Sequence, residues 1–417
     1  MTRNDLITLA QTPNLEPSRL ALRVTPAAEI AIRQGHPWVY ESAITSQKGN
    51  GRSGDLAVIF DRKNRFLAVG LYDTQGPIRV RVLHQGTPAA INAAWWQAQL
   101  AAAAQCRAPL SASQTTGFRL VHGENDGFPG LIIDQYAATS VIKLYTPAWI
   151  PHLRAVLDGL TAVSHPERLV LRLNRSAAGQ TDALYGLQNG IVLFGPPLTG
   201  PVLFQENGLW FAADVVAGQK TGFFLDQRDN RARVETLAEG KTVLNVFAYT
   251  GGFSLYAARG GAAAVASLDI SKPALEAATY NFTLNMAQPA VAAARHELLL
   301  GDAFARLEEL GRNGRSFDMV IIDPPSFAKK QAEADRALGA YARLVRLGLR
   351  VLQPGGILVM ASCSSRITAP QFFDMVNETA RVEKRPLHEI ERTSHALDHP
   401  ITFPEGAYLK CLFAIAS

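Results

Sequence analysis

Val243-Leu-Asn-Val-Phe-Ala-Tyr-Thr-Gly-Gly-Phe-Ser254 starts as an apolar strand, breaks into a loop that ends in two glycines, and resumes with helix formers. A short apolar run bounded by turn residues suits a buried strand. Gly251 and Gly252 remove side chains where a backbone must approach a ligand, and the helix that follows offers unpaired N–H groups. In a doubly wound sheet, ligands bind at the carboxyl ends of strands, where the strand order reverses. Taken alone the loop is a weak signal: it is not Gly-x-Gly-x-x-Gly, and a tight turn without a ligand accounts for two glycines about as well.

Downstream, strands over 242–247, 264–269, 297–301, 318–323 and 357–361 alternate with helical stretches. This pattern predicts an α/β fold with a mostly parallel, doubly wound sheet. Two further strands, 387–391 and 408–414, have no helix between them and predict an antiparallel hairpin that closes the sheet. Asp269 ends the second strand, 24 residues after Asn245, where a carboxylate can accept both hydroxyls of a ribose. Asp302, in Gly301-Asp-Ala303, repeats the arrangement after the third strand and can meet an adenine amine. Each Asp alone reads more readily as a helix N-cap. Three strand ends together predict an adenosine pocket without a pyrophosphate cradle, which sets a nicotinamide dehydrogenase aside.

Asp323-Pro-Pro-Ser-Phe-Ala-Lys-Lys330 leaves the apolar strand Met319-Val-Ile-Ile322 as a turn stiffened by two prolines. Asp323 can face the amino edge of a flat base, Phe327 can stack on it, and Lys329 and Lys330 can lie near phosphates. A simple strand-ending turn is the bland alternative. Cys363 follows the next strand, after Pro354-Gly-Gly356, and the sheet order brings it near Asp323. A thiolate there can add to carbon 6 of a pyrimidine and activate carbon 5 for a methyl group. Most cysteines are structural, and Cys106 and Cys411 read that way. Three cysteines are too few for a disulfide framework and fit a reducing compartment.

The chain has 417 residues, 47% of them hydrophobic, enough for two or three domains. Its start shows no secretory pattern and no apolar stretch reads as a membrane span, so a cytoplasmic location is expected. Residues 1–86 hold 11 Lys and Arg against 7 Asp and Glu, a net of +4 out of +5 for the chain. Short strands over 20–24, 56–60, 66–70 and 78–82 make this segment a small basic β-domain. Within it Arg33-Gln-Gly-His-Pro-Trp-Val-Tyr40 is a turn whose Arg33, His36 and Trp38 suit single-stranded bases and phosphates, although Trp38 and Tyr40 also read as core residues. A central α+β domain over 87–213 follows, with a helix over 91–106 and strand signals near 118–121, 131–134 and 140–145. Its segment His122-Gly-Glu-Asn-Asp-Gly-Phe-Pro-Gly130 lacks metal-ligand spacing and reads as a hairpin. The doubly wound domain spans 214–417, and no metal site is expected.

With these residues in view, the chain resembles the bacterial large-subunit ribosomal RNA cytosine-5 methyltransferase I family over nearly its whole length. The matching segments are Gly35 to Tyr40, Gly123 to Gly130, Lys220-Thr-Gly-Phe-Phe-Leu-Asp-Gln-Arg228, Asn245 to Phe253, Asp323 to Phe327, Ser362-Cys-Ser364 and Asp398-His-Pro400. The resemblance implies an N-terminal PUA RNA-binding domain, a central α+β domain and a class I methyltransferase domain that uses S-adenosylmethionine. It implies that Asn245, Phe247, Tyr249, Thr250 and Gly251 border the methionine part of the cofactor, Asp269 the ribose and Asp302 the adenine. Ser271, Ala303 and Asp323 complete that set, and Gln227 and Arg228 help close it. Cys363 stands where RNA cytosine-5 enzymes carry their nucleophile. Ser326 stands where many of them carry a second, product-releasing cysteine, so release takes another route. Related proteins make a homodimer possible. Similar Asp-Pro-Pro turns occur in enzymes that methylate base nitrogens, so the resemblance fixes methyl transfer more firmly than cytosine. Methylation of a guanine or adenine nitrogen, and a non-catalytic RNA-binding assembly factor, are the competing readings.

Overall fold

A computed structural model describes residues 15–328 and 330–417, which fold into two units. The first runs to Gly208 and adds Ala213–Leu225 and Leu397–Pro404; the second comprises Leu209–Ala212, Asp226–Ala396 and Glu405–Ser417. Among the described residues no helix is long and apolar enough to cross a membrane.

The first unit holds two sheets. Strands β1 (Arg19–Val24), β2 (Trp38–Tyr40), β3 (Ile44–Lys48), β4 (Leu56–Phe60), β5 (Phe66–Tyr72) and β6 (Ile78–Gln85) form one in the order β2-β6-β5-β4-β1-β3. The sequence reading missed β3, which is exposed along most of its length, and α1 (Pro26–Arg33). Helix α1 starts where Thr25 Oγ1 accepts the Ala28 N–H at 3.3 Å, and it buries Ile32 while Ile30 stays exposed. The stretch read as one turn from Arg33 to Tyr40 is thus a helix end followed by β2.

The second sheet contains β7 (Gly117–His122), β8 (Leu131–Tyr136), β9 (Thr139–Leu144), β10 (Arg168–Leu173) and β11 (Val192–Phe194), backed by α2 (Ala93–Arg107) and α3 (Ile150–Ser164). Leu56, Leu71 and Leu83 from the first sheet share one apolar cluster with Trp96, Phe128 and Trp149. Burial of side chains this size contributes about 1.5–3 kcal/mol each. A single 3₁₀ turn, Gly123–Asp126, joins β7 to β8, and Asp126 takes a bidentate pair from Arg107 at 2.9 and 2.6 Å. That carboxylate holds the hairpin together. Cys106 is exposed on α2, so it does not fill the buried role expected of it.

After β12 (Val202–Glu206) and β13 (Leu209–Ala213), the second unit builds a seven-stranded sheet. Its strands are β14 (Thr242–Val246), β15 (Ala264–Asp269), β16 (Arg295–Leu300), β17 (Phe317–Ile322), β18 (Leu352–Ser362), β19 (Leu387–Thr393) and β20 (Lys410–Ala416). The order is β16-β15-β14-β17-β18-β20-β19, with β14 to β18 parallel and β20 antiparallel to both neighbours. This is the predicted doubly wound sheet with its closing hairpin. Strand β18 begins five residues earlier than the reading placed it. Its register against β17 jumps from Phe317↔Leu352 to Met319↔Ile357, so Pro354-Gly-Gly356 is a bulge inside the strand.

The helices of this unit include α4 (Arg228–Leu237), α5 (Gly252–Arg259), α6 (Lys272–Leu284), α7 (Ala303–Arg312), α8 (Ala334–Arg350) and α9 (Ala369–Val382). One face of the sheet buries Leu244, Val246, Val320, Ile322 and Leu358 against Tyr341 and Leu344 of α8 and Phe372 of α9.

Candidate functional site

The strand order reverses at β14, whose neighbours β15 and β17 lead to opposite edges, so the loop after β14 lies at the switch point. Within five residues that loop places Phe247 at φ 63°, Tyr249 at φ 49° and Gly251 at φ 76°. Left-handed backbone at a non-glycine residue costs about 1–2 kcal/mol, and it persists only where the surroundings hold it. Here the Tyr249 N–H donates to Asp269 Oδ2 at 2.8 Å, the Gly251 N–H to the Ala248 carbonyl at 2.9 Å, and Asn281 Nδ2 to the Thr250 carbonyl at 2.8 Å.

Two buried polar atoms beside the strained backbone, Asn245 Oδ1 and Thr250 Oγ1, have no protein partner. Leaving such an atom unsatisfied costs about 1–3 kcal/mol. Their placement fits a ligand that carries polar groups, such as the amino-acid end of S-adenosylmethionine.

Asp269 accepts the Ser271 N–H on Oδ1 and the Tyr249 N–H on Oδ2, both at 2.8 Å. Each carboxylate oxygen retains further acceptor capacity for a hydroxyl. Ser271 Oγ caps α6 by accepting the Ala274 N–H at 3.3 Å. Asp302 is exposed and caps α7 through Ala305 N–H at 3.0 Å, while Ala303 is buried. Both the capping reading and a ligand-facing oxygen are therefore compatible with Asp302. Gln227 and Arg228 are buried at the start of α4; Gln227 Oε1 accepts Asn230 Nδ2 at 2.6 Å, and Arg228 Nε donates to Asp229 at 3.2 Å.

Asp323 follows β17 and Cys363 follows β18, and the pairing of Ile322 with Met360 makes these neighbouring strand ends. Phe327 is half-buried, with its ring edge-on to Tyr341 at 5.0 Å, so part of it belongs to the core wall. Lys330 is exposed and Lys329 lies outside the described residues. Cys363 is half-buried, between Ser362, which pairs with Lys410, and Ser364, whose carbonyl accepts Lys410 Nζ. Lys410 also donates to the carbonyls of Ile367 at 2.6 Å and Tyr408 at 3.2 Å. Burial pushes the Lys410 ammonium down to about 8, against the opposing pull of Cys363. The Tyr341 hydroxyl, bonded to Ser362 Oγ at 3.0 Å, is raised by burial, and the charges of Cys363 and Asp323 push it the same way. Asp323, Tyr341, Cys363 and Lys410 thus form one electrostatic group.

Arg33, His36 and Trp38 belong to the first unit. Arg33 pairs with Glu29 at 3.2 Å and Asp61 at 3.1 Å. Trp38 Nε1 donates to Glu124 at 2.9 Å, and its ring meets Phe403 edge-on at 5.3 Å. His36 Nδ1 lies 3.2 Å from the Trp38 N–H that donates to it. Several of the N-terminal cations are thus partnered: Arg62 lies 3.4 Å from Glu29, Arg65 2.8 Å from Asp61 and Arg79 2.7 Å from Glu41.

Sequence reasoning missed Lys410 and Tyr341. Lys410 was visible as the one cation opening the apolar run Cys411-Leu-Phe-Ala-Ile-Ala416. Tyr341, on a helix rich in Ala and Leu, carried no local signal.

A seven-stranded sheet with a reversed closing hairpin, a strained glycine loop after its first strand and an Asp after each of the next two defines a class I, S-adenosylmethionine-dependent methyltransferase. A family model described as S-adenosylmethionine-dependent methyltransferase matches residues 189–414, and a PUA-like domain model matches 22–85. A Deinococcus radiodurans protein named ribosomal RNA large subunit methyltransferase is 50% identical over 400 residues, covering 95% of this chain and 97% of that one. A Photobacterium profundum protein named ribosomal RNA large subunit methyltransferase I is 37% identical, covering 92% and 96%. A solved Streptococcus mutans structure, described as a SAM-dependent methyltransferase, shares the fold with a TM-score of 0.79 at 22% identity, covering 95% and 99%. Another with the same TM-score and identity, covering 95% and 100%, is complexed with S-adenosylhomocysteine. The chain belongs to the ribosomal RNA large subunit methyltransferase I family. Its cofactor is S-adenosylmethionine.

Proposed function

We propose that the protein methylates RNA, at carbon 5 of a cytosine in large-subunit ribosomal RNA, through a transient Cys363 adduct. The names of its relatives support the RNA class. The observation that carries the cytosine chemistry is the thiol at the end of β18, beside the strand end that presents Asp323 and next to Ser364, whose carbonyl accepts the Lys410 ammonium.

Bound S-adenosylmethionine supplies an electrophilic methyl group. Asn245, Phe247, Tyr249, Thr250 and Gly251 hold its amino-acid end, Asp269 and Ser271 its ribose, Asp302 and Ala303 its adenine, and Gln227 and Arg228 close the pocket. Asp323 holds the exocyclic amine of the target base, with Phe327 and Lys330 at its edge. The Cys363 thiolate forms a bond to carbon 6, and the ring electrons move toward carbon 5. Once carbon 5 is methylated and has lost its proton to a base, the carbon–sulfur bond breaks and its electrons return to the thiolate. Lys410 favours the thiolate at both ends of this sequence by its charge. Arg33, His36 and Trp38 contact single-stranded RNA.

RNA containing 5-fluorocytosine should trap a covalent complex, because fluorine cannot leave as a proton does. Cys363→Ala should abolish both the complex and methylation. A variant that methylates as well as the parent, or a methyl group on a base nitrogen by mass spectrometry, would overturn the reading.

A further inference from the structure

Asn245, Ser254, Ser267 and His296 form a continuous buried chain of hydrogen bonds within the second unit. Asn245 Nδ2 donates to Ser254 Oγ at 2.9 Å; Ser254 and Ser267 hydroxyls lie 2.7 Å apart; Ser267 Oγ lies 2.9 Å from His296 Nε2. The sheet register builds this line. Asn245 pairs with Ser267 across β14 and β15, Ser267 pairs with Leu298 of β16, and His296, two residues earlier, faces the same side as Leu298. Ser254 reaches that side from the first turn of α5. Asn245, Ser254 and Ser267 are at most 1% exposed, and the His296 ring stacks on Phe282 with centroids 3.8 Å apart.

Each hydroxyl can accept one bond while donating its single proton to the next, so every link is made when the chain runs in one direction. Starting from the Asn245 amide, it runs outward and ends on His296 Nε2 as acceptor, which requires the neutral ring protonated on Nδ1. Burial pushes the imidazole down to about 4, in keeping with a neutral ring at physiological pH. The reverse direction would turn the Asn245 amide over. The outward direction leaves Oδ1, buried and without a protein partner, as the open atom.

We infer that Ser254, Ser267 and His296 are positioning residues that lock the Asn245 carboxamide with Oδ1 as an acceptor for a cationic N–H donor, the ammonium of the cofactor's amino-acid end. This rests on the reading of Asn245 as a cofactor residue.

The test is calorimetry on the full chain with two probes: S-adenosylhomocysteine, which carries the ammonium, and 5′-methylthioadenosine, which lacks the amino-acid end. Ser267→Ala and His296→Leu should each weaken S-adenosylhomocysteine about tenfold and leave 5′-methylthioadenosine within about twofold. His296→Gln, which keeps an acceptor, should restore most of the loss; the histidine is partly exposed on an edge strand, so these variants remain informative where Ser267→Ala does not fold. Equal loss for both probes, or no loss for either, would overturn the relay. Asn245→Ala separates the two levels. If it weakens S-adenosylhomocysteine alone while the His296 variants do nothing, only the relay fails; if it has no selective effect, the cofactor role of Asn245 fails as well.

Discussion

Gly251→Ala probes the switch-point loop, and Gly314→Ala supplies its control. Gly251 has φ 76°, and a Cβ there would sit 2.8 Å from the Cβ of Ala278 and 3.3 Å from its Cα on α6. Gly314 has nearly the same φ, 68°, but a Cβ added there meets nothing within 4 Å. The left-handed backbone penalty, about 1–2 kcal/mol, is common to both. The contact with Ala278 adds a packing penalty of about 1–3 kcal/mol at Gly251 alone, because it strikes backbone as well as side chain. Urea unfolding of the second unit should therefore show Gly251→Ala less stable than Gly314→Ala by about 1–3 kcal/mol. The same shift moves Thr250 and the start of α5, so S-adenosylhomocysteine affinity should drop for Gly251→Ala and stay unchanged for Gly314→Ala. Equal stability of the two variants would refute the close packing of the loop on α6. Unaltered affinity in a destabilised Gly251→Ala would refute its place beside the ligand.

Three other outcomes are expected. In a Cys106→Ser background, Lys410→Met should leave less of the Cys363 thiol ionised and slow its alkylation near neutral pH about tenfold; an unchanged rate would mean that the ammonium does not act on the thiol. His296 sits near 4 in the fold and near 6.5 in the unfolded chain. Between those values the unfolded chain binds the extra proton, so stability should fall as pH falls from about 6.5 to about 4 more steeply in the parent than in His296→Gln. Parallel pH curves would count against a neutral, buried ring. Glu124→Ala removes the acceptor of Trp38 Nε1 and should destabilise the first unit by about 1–3 kcal/mol, measured by its unfolding midpoint.

The parallel strands were legible because a strand covered on both faces is a short apolar run, and β14, β15 and β17 are nearly that alone. Strand β3 was not, since its residues face solvent with no alternation to mark them. Helix α1 was hidden by alanines that serve a helix without forming a stripe. The bulge in β18 looked like a turn because Pro-Gly-Gly has the same local chemistry in either setting. At the site, residues at strand ends were readable by position along the chain. Lys410 and His296 come from distant segments that the register of β16, β18 and β20 brings to Cys363 or Asn245, and Tyr341 reaches Ser362 from α8.

The excursion of Leu397–Pro404 into the first unit bears on how the protein is made. Asp398 is buried there, accepting the Arg119 N–H at 2.8 Å, while its carbonyl takes Arg107 at 3.0 Å and Phe403 closes on Trp38. The N-terminal unit therefore draws its last pieces from residues synthesised nearly 200 positions later than the bulk of it. A ribosome-bound chain that has completed the first sheet pair still lacks Asp398 and Phe403, so this unit reaches its final form only after residue 404 has been made. Truncation after 208, however well placed between elements, would yield a unit without that carboxylate and that ring.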